Sequence, residues 1–232
     1  MKTDYAAHDV RYRKLRAAGG IGWTTAEDVD EIMAGVEAAL RAPYAPRRGR
    51  ALELGCGAGE TTLRLAVMGF DAFGIDISET AIAWAREKAA DRGIRVDFRE
   101  GNVLDLRDWP VDFFDFVLDG RCFHCIIGED RGRFLAEVHR VLRPDGVFHV
   151  RSMCGEPTDP ELRRNFDPGS RCQVVNGIAL RHIGLAADIV GEIRSAGFHV
   201  LRQSVVGRKN QRDQDDLLVD ATKTPVFCGG FC

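Results

Sequence analysis

The sequence predicts an α/β fold: a seven-stranded, mostly parallel sheet with one reversed strand near an edge and helices on both faces. Three observations carry this. From about residue 50 onward, short apolar runs alternate with amphipathic helical patterns. The first run, 51–54, ends in Gly55-Cys56-Gly57-Ala58-Gly59 and passes directly into a helical pattern, the signature of a strand, a tight turn and a helix N-terminus. The last two runs, 198–206 and 217–222, have no helix between them and therefore pair antiparallel.

The elements follow in order. Residues 1–20, charged with scattered Tyr5 and Tyr12, read as a short helix or an irregular arm. Over 26–40, Val29, Ile32, Met33, Val36 and Leu40 recur at helical spacing, with Thr25 as the N-cap. Pro43 and Pro46 break the chain, which closes an N-terminal arm or cap over 1–48 and opens the main domain at 49–223. Strand one (50–54) and a helix (59–68) lead to strand two (71–75). The next helix, 79–92, sets Ala81, Ile82, Ala85 and Ala89 on one face and stops at Gly93. Strand three (94–99) alternates apolar and charged residues, as an edge strand with one wet face does. Strand four (113–119) is followed by a helix over 130–142, a Pro144-Asp145-Gly146 turn and strand five (147–153). The proline-punctuated segment 154–182 is too long for a simple connection and reads as a lid or substrate loop. A helix at 185–196 leads into the final strand pair, and 224–232 is a cysteine-containing tail.

Composition narrows the function classes. The chain has 232 residues, 45% of them apolar, enough for one sizeable domain with a small cap. A net charge of −3 with scattered basic residues gives no groove for nucleic acid and no attraction to an anionic membrane. No stretch approaches the ~20 apolar residues of a membrane span, and the polar N-terminus lacks a secretory apolar region, so a cytoplasmic location is expected. Seven cysteines, an odd number without a signal, suggest reduced thiols. The composition sets no oligomeric state.

The chemistry concentrates at the strand ends. Asp76 closes strand two, about twenty residues beyond the glycine loop, where an acid accepts hydrogen bonds from both hydroxyls of a ribose. A nucleoside-bearing cofactor is thus expected across the first two strand ends. The spacing is G-x-G-x-G and not the dinucleotide G-x-G-x-x-G, and Glu53 lies just before the loop. With these features, residues from about 49 to 223 resemble the class I S-adenosylmethionine-dependent methyltransferases, whose fold is Rossmann-like.

The resemblance implies S-adenosylmethionine as cofactor and S-adenosylhomocysteine as product. It implies that Gly55, Cys56, Gly57 and Gly59 pass under the methionine and ribose parts, with Glu53 orienting the loop or meeting the amino group through water. It places Asp76 on the ribose and Ile77 on the adenine. Asn102 stands where the family often has Asp, its carbonyl able to accept from the adenine amino group, and Val103 offers its backbone N–H to the ring. Asp119 and Gly120 fall beside the sulfonium and the transferred methyl.

Methyl transfer from a sulfonium needs alignment and, for a protonated nucleophile, a base. The candidates lie in Asp119-Gly120-Arg121-Cys122-Phe123-His124-Cys125, whose Asp-x-x-Cys-Phe-His pattern is similar to small-molecule methyltransferases acting on thiols and tellurite-like oxyanions. Asp119, Cys122 and His124 are therefore the catalytic candidates; His124 reads either as a general base or as packing of the turn. No second C-x-x-C accompanies Cys122 and Cys125, so no structural metal site is expected. A sharper alternative gathers Cys122, Cys154 and a tail cysteine around a metalloid or heavy-metal acceptor. Tyr5, Tyr12 and Trp23 of the arm can close over the site; Arg151, Arg171, Arg181 and His182 flank or line the insertion, and Arg suits a bidentate grip on an oxyanion. The expected function is methyl transfer to a small-molecule acceptor. A cofactor-binding module without turnover is the alternative from another class; a nicotinamide dehydrogenase is disfavoured by the glycine spacing and the final strand pair.

Overall fold

A computed structural model describes residues 1–23, 25–207 and 214–225; the tail cysteines Cys228 and Cys232 lie outside the described residues. In chain order the elements are β1 (Lys2–Thr3), α1 (Ala7–Ala17), α2 (Ala26–Leu40), β2 (Arg50–Leu54), α3 (Glu60–Val67), β3 (Asp71–Asp76), α4 (Glu79–Asp91), β4 (Asp97–Glu100), β5 (Phe114–Gly120), a 3₁₀ turn (Phe123–Cys125), α5 (Asp130–Val141), β6 (Leu142–Cys154), α6 (Pro160–Arg164), β7 (Phe166–Asp167), β8 (Cys172–Val175), β9 (Ile178–His182), α7 (Ala186–Ser195), β10 (His199–Val206) and β11 (Asp215–Thr222). Seven strands form one sheet in the order β10-β11-β6-β5-β2-β3-β4. Only β11 is reversed, running antiparallel to both β10 and β6, so the predicted seven-stranded sheet stands with its odd strand second from the edge. Among the described residues no helix is long and apolar enough to cross a membrane.

The pleat divides the core. On β5, Phe116 and Leu118 face one side of the sheet and pack with Val29, Ile32, Met33 and Val36 of α2. Val117 faces the other side, with Phe134 and Val138 of α5 and Ile189 and Ile193 of α7. α2 starts where Thr25 and Asp28 form a reciprocal capping box, in which each side chain accepts the other residue's backbone N–H. α4 buries the four residues of its predicted face.

Three local readings are corrected. Strand three begins at Asp97, because Ile94 belongs to the end of α4: its N–H donates to the Ala89 carbonyl at 2.9 Å while the Gly93 N–H donates to Ala90 at 3.1 Å, the Schellman pattern. Pro144-Asp145-Gly146 makes no separate turn before a strand; Leu142 already pairs with Phe114, and the next pairing is Phe116 with Val147, so the intervening residues bulge out of a continuous β6. The insertion is an ordered subdomain and not a bare loop. In it β7, β8 and β9 form an antiparallel sheet, and β1 from the chain start adds to β9 in parallel. Val175 pairs with Ile178 across Asn176 and Gly177, both at positive φ (52° and 77°), a two-residue hairpin of the primed type.

The arm and the insertion thus form one cover over the carboxyl ends of the strands. α1 is fastened to α4: Asp9 accepts from the Ser78 hydroxyl (2.7 Å) and the Thr80 N–H (3.0 Å), and Arg16 grips Glu87. Tyr5 accepts from the Ile127 N–H and donates to Asp130.

Candidate active site

Under this cover lies a cavity of about 310 Å³ at the ends of β2, β3, β4 and β5. It opens into an outer lobe of about 560 Å³ beneath the insertion. Gly55, Asp76, Ile77, Asn102, Val103 and Gly120 line the inner lobe, and Cys122 and His124 line it from the turn after β5.

Asp76 is buried at the end of β3, and both its oxygens are engaged: Oδ2 accepts from the Gly57 N–H at 2.8 Å and Oδ1 from the Ser78 N–H at 2.9 Å. The acid pins the glycine loop to the next helix as well as facing the cavity. Burial raises its pKa against these two backbone hydrogen bonds. Gly57 has φ 52°, and a Cβ there would run into the Tyr12 hydroxyl, which stands directly over the loop. Gly59 starts α3; a Cβ there would meet Phe98 at 2.6 Å and Ala85 at 2.8 Å, so its role is close packing of α3 on α4 and β4. Asn102 spends its carbonyl on the Leu104 N–H at 3.0 Å.

Of the residues predicted to hold the cofactor or act in catalysis, Glu53, Cys56, Gly57, Gly59 and Asp119 do not line either lobe, and Gly57 lies behind the Tyr12 hydroxyl. Cys56 packs its thiol with Leu63, Ile82 and Phe98 below the loop. Glu53 lies under the loop, accepting from the Thr62 hydroxyl of α3. Burial drives its pKa from 4.5 up to about 8, against the Thr62 hydrogen bonds, so it is largely protonated at neutral pH. Asp119 is fully buried; one oxygen accepts from the Cys122 (2.7 Å) and Phe123 (2.8 Å) N–H groups and so shapes the turn that presents Cys122 and His124, while the other is buried without a partner among the described residues. Burial pushes its pKa up to about 7.

Glu53 gives a prediction with a definite sign. The unfolded carboxyl ionises above pH 4.5, whereas the folded one holds its proton to about 8. Its contribution is fully present below the first value and is lost as pH rises through the second. The urea stability of the ligand-free wild type, measured relative to Glu53→Gln, should therefore fall between the two ends of that range. A flat or rising difference contradicts the buried neutral acid.

His124 is buried, and among the described residues one ring nitrogen, Nδ1, has no hydrogen-bond partner. Burial, and then the charge of Arg181, hold its pKa well below 6.5, so the ring is neutral in the ligand-free protein, and an anionic group beside Arg181 would ease the protonation that these two effects oppose. Replacing it by Ala should lower turnover of a protonated acceptor by about 100- to 10,000-fold, with a much smaller change in cofactor affinity. The loss should shrink for an acceptor already ionised at the assay pH; equal rates for wild type and variant on both kinds of acceptor assign the residue to packing.

Cys154 is buried in the core, and among the described residues no group of three His, Cys, Asp or Glu side chains is placed to hold a metal ion; the tail cysteines of the proposed cluster lie outside the described residues. Burial raises the thiol pKa of Cys122 and lifts that of Cys125 to about 11, so both are protonated thiols and not soft thiolates. Arg151 is consumed inside the fold by Asp216 (2.7 Å) and Glu31 (3.1 Å), and Arg171 by Glu156 and two backbone carbonyls. Arg181 stays in the cavity wall.

The face of α1 carrying His8, Arg11 and Tyr12 holds wall residues that the sequence reading largely missed; their i, i+3, i+4 spacing was the available signal. Trp23 stacks on His8 (5.6 Å), meets Tyr12 edge-on and lies under Arg11 at 4.2 Å.

This cavity fits a nucleoside cofactor. A buried carboxylate lies at a strand end, apolar Ile77 and Val103 flank it, and glycine backbone faces it. A family model described as a methyltransferase domain matches residues 52–150. Over 109 residues the chain is 34% identical to a ubiquinone biosynthesis O-methyltransferase of Azorhizobium caulinodans, a match spanning 47% of this chain but only 42% of that protein's length. Over 101 residues it is 31% identical to an uncharacterized methyltransferase of Schizosaccharomyces pombe, covering 44% of this chain and 69% of the relative. A solved structure of the Burkholderia thailandensis 1,6-didemethyltoxoflavin-N1-methyltransferase, with 1,6-didemethyltoxoflavin and S-adenosylhomocysteine bound, superposes with a TM-score of 0.75 at 23% identity, over 95% of this chain and 87% of that one. From the sheet order, the loop geometry and these matches together, the chain belongs to the class I S-adenosylmethionine-dependent methyltransferase superfamily.

Proposed function

We propose that this protein transfers a methyl group from S-adenosylmethionine to a small-molecule acceptor held in the outer lobe. The observation that carries the reading is the two-lobed cavity: an inner lobe suited to the cofactor joins a larger one at the turn after β5. When bound, the cofactor supplies an electrophilic methyl group on a sulfonium. The chain's own residues do the rest. Asp76 takes the ribose hydroxyls while holding the glycine loop, and Ile77 and Val103 flank the adenine. Asp119 sets the turn, and His124 receives the acceptor's proton at a ring nitrogen. The arm and insertion shield the acceptor from water and exclude a polymer.

Two named relatives support a small acceptor: one is a ubiquinone-biosynthesis O-methyltransferase, the other a 1,6-didemethyltoxoflavin N1-methyltransferase. They methylate at different elements, so the acceptor atom is not carried over. The test incubates the protein with S-adenosylmethionine and a panel of small thiols, phenols and amines, following S-adenosylhomocysteine release. Acceptor-dependent release supports the reading; tight cofactor binding with no product across the panel makes the protein a binding module.

A further inference from the structure

The residues that line both lobes, where an acceptor would approach the methyl group, include Arg11, Arg121 and Arg181 but no aspartate or glutamate. Arg121 is satisfied by Asp216 at 2.7 Å and by Asp28 at 3.6 Å. Arg11 is exposed and rests on Trp23. Arg181 differs from both. It is half-buried on β9, and among the described residues its guanidinium makes no ion pair or hydrogen bond. β9 packs against the 3₁₀ turn, and the charge of Arg181 acts on both His124 and Cys125. The carboxylates of the outer lobe do not answer it: Asp159 caps α6 through the Glu161 and Leu162 N–H groups, Asp4 accepts from Ala7, and Glu161 is exposed. A guanidinium withdrawn from water with no partner is unfavourable, and it becomes favourable only when an anion fills its fork.

We infer that the methyl acceptor is an anion, and that Arg181 grips its carboxylate and so turns the nucleophilic atom toward the cofactor and His124. The inference rests on the cofactor and acceptor lobes assigned above. Arg181 then selects the acceptor: a neutral analogue of the same shape leaves the guanidinium unpaired and loses affinity for that reason.

The test uses matched pairs, para-hydroxybenzoate with para-hydroxybenzamide and mercaptopropionate with its amide. Each is titrated calorimetrically into the full-length protein saturated with S-adenosylhomocysteine. The acids should bind about 10-fold or more tightly than the amides, the worth of a charge-assisted bidentate pair. Arg181→Gln should reduce that preference to about 2-fold or less, and Arg181→Lys, which keeps the charge but not the fork, should retain part of it. Affinity for S-adenosylhomocysteine should be the same in all three proteins. Equal binding of acid and amide, binding of neither, or an undiminished preference in folded Arg181→Gln overturns the inference. So does a loss of S-adenosylhomocysteine affinity in that variant, because the arginine then holds the cofactor's own carboxylate. A wild type that binds no S-adenosylhomocysteine overturns instead the functional reading beneath it.

Discussion

Gly57→Val should abolish measurable binding of S-adenosylhomocysteine in a protein that still folds. Two costs act at one atom. The residue has φ 52°, a region that costs an L-residue roughly 1–2 kcal/mol and a β-branched one more. The new Cβ also collides with the Tyr12 hydroxyl, and Tyr12 is 7% exposed, so the arm must lift from the loop. Lifting it removes one wall of the inner lobe and loosens the Gly57 N–H from Asp76. The sheet core lies below the loop and does not depend on it, which is why the fold should persist. Gly57→Ala should show a smaller version of the same loss, and the Tyr12→Ala background should restore the share that comes from collision. Calorimetry alongside circular dichroism checks this. Normal affinity in Gly57→Val means that the loop does not cradle the cofactor.

Asp76→Ala should weaken S-adenosylhomocysteine by roughly 2–4 kcal/mol, or about 30- to 1,000-fold, through loss of charge-assisted hydrogen bonds to the ribose. The structure adds a second contribution, because the same carboxylate fixes Gly57 and Ser78. Asp76→Asn separates the two. An amide accepts through one oxygen only and turns its NH₂ against either the Gly57 or the Ser78 N–H, so it keeps one of the two backbone hydrogen bonds and should cost less stability than alanine while losing most of the affinity. Burial raises the Asp76 pKa, so wild-type affinity should also fall as pH drops through that value, when the protonated acid can no longer accept at both oxygens. Unchanged affinity in a folded Asp76→Ala refutes the ribose assignment.

The sheet was legible because its signals are local. The short apolar run of β5 and the helical spacing in α2 each appear within a dozen residues, and the glycine loop with Asp76 marks where a strand meets its cofactor-side turn. The failures depend on contacts distant in sequence. Pro144-Asp145-Gly146 has ordinary turn chemistry, but pairing with β5 keeps that chain in the strand as a bulge. The Asn176-Gly177 hairpin is the exception: its signal is local, a primed-turn pair between apolar residues, but Pro157, Pro160, Pro168 and Gly169 before it give the whole segment the composition of a loop.

The same distinction holds in the site. Glu53 alternates with Leu52 and Leu54, which face the α5 and α7 side, so its carboxyl falls on the other face, where Thr62 receives it. Its distance from the cavity wall follows once the helices on each face are known. Arg151 and Arg181 looked alike in sequence. One is consumed by Asp216 and Glu31, the other remains in the wall, and only the tertiary partners distinguish them.

The central claim is that the inner lobe holds the cofactor with its reactive sulfur turned toward the outer lobe. A crystal structure of the wild type with S-adenosylhomocysteine tests it most directly. The ribose should lie on Asp76, the adenine between Ile77 and Val103, and the sulfur should face the junction at His124 and Arg181, with the outer lobe left open. A ligand that fills the outer lobe, or a sulfur turned away from that junction, contradicts the account.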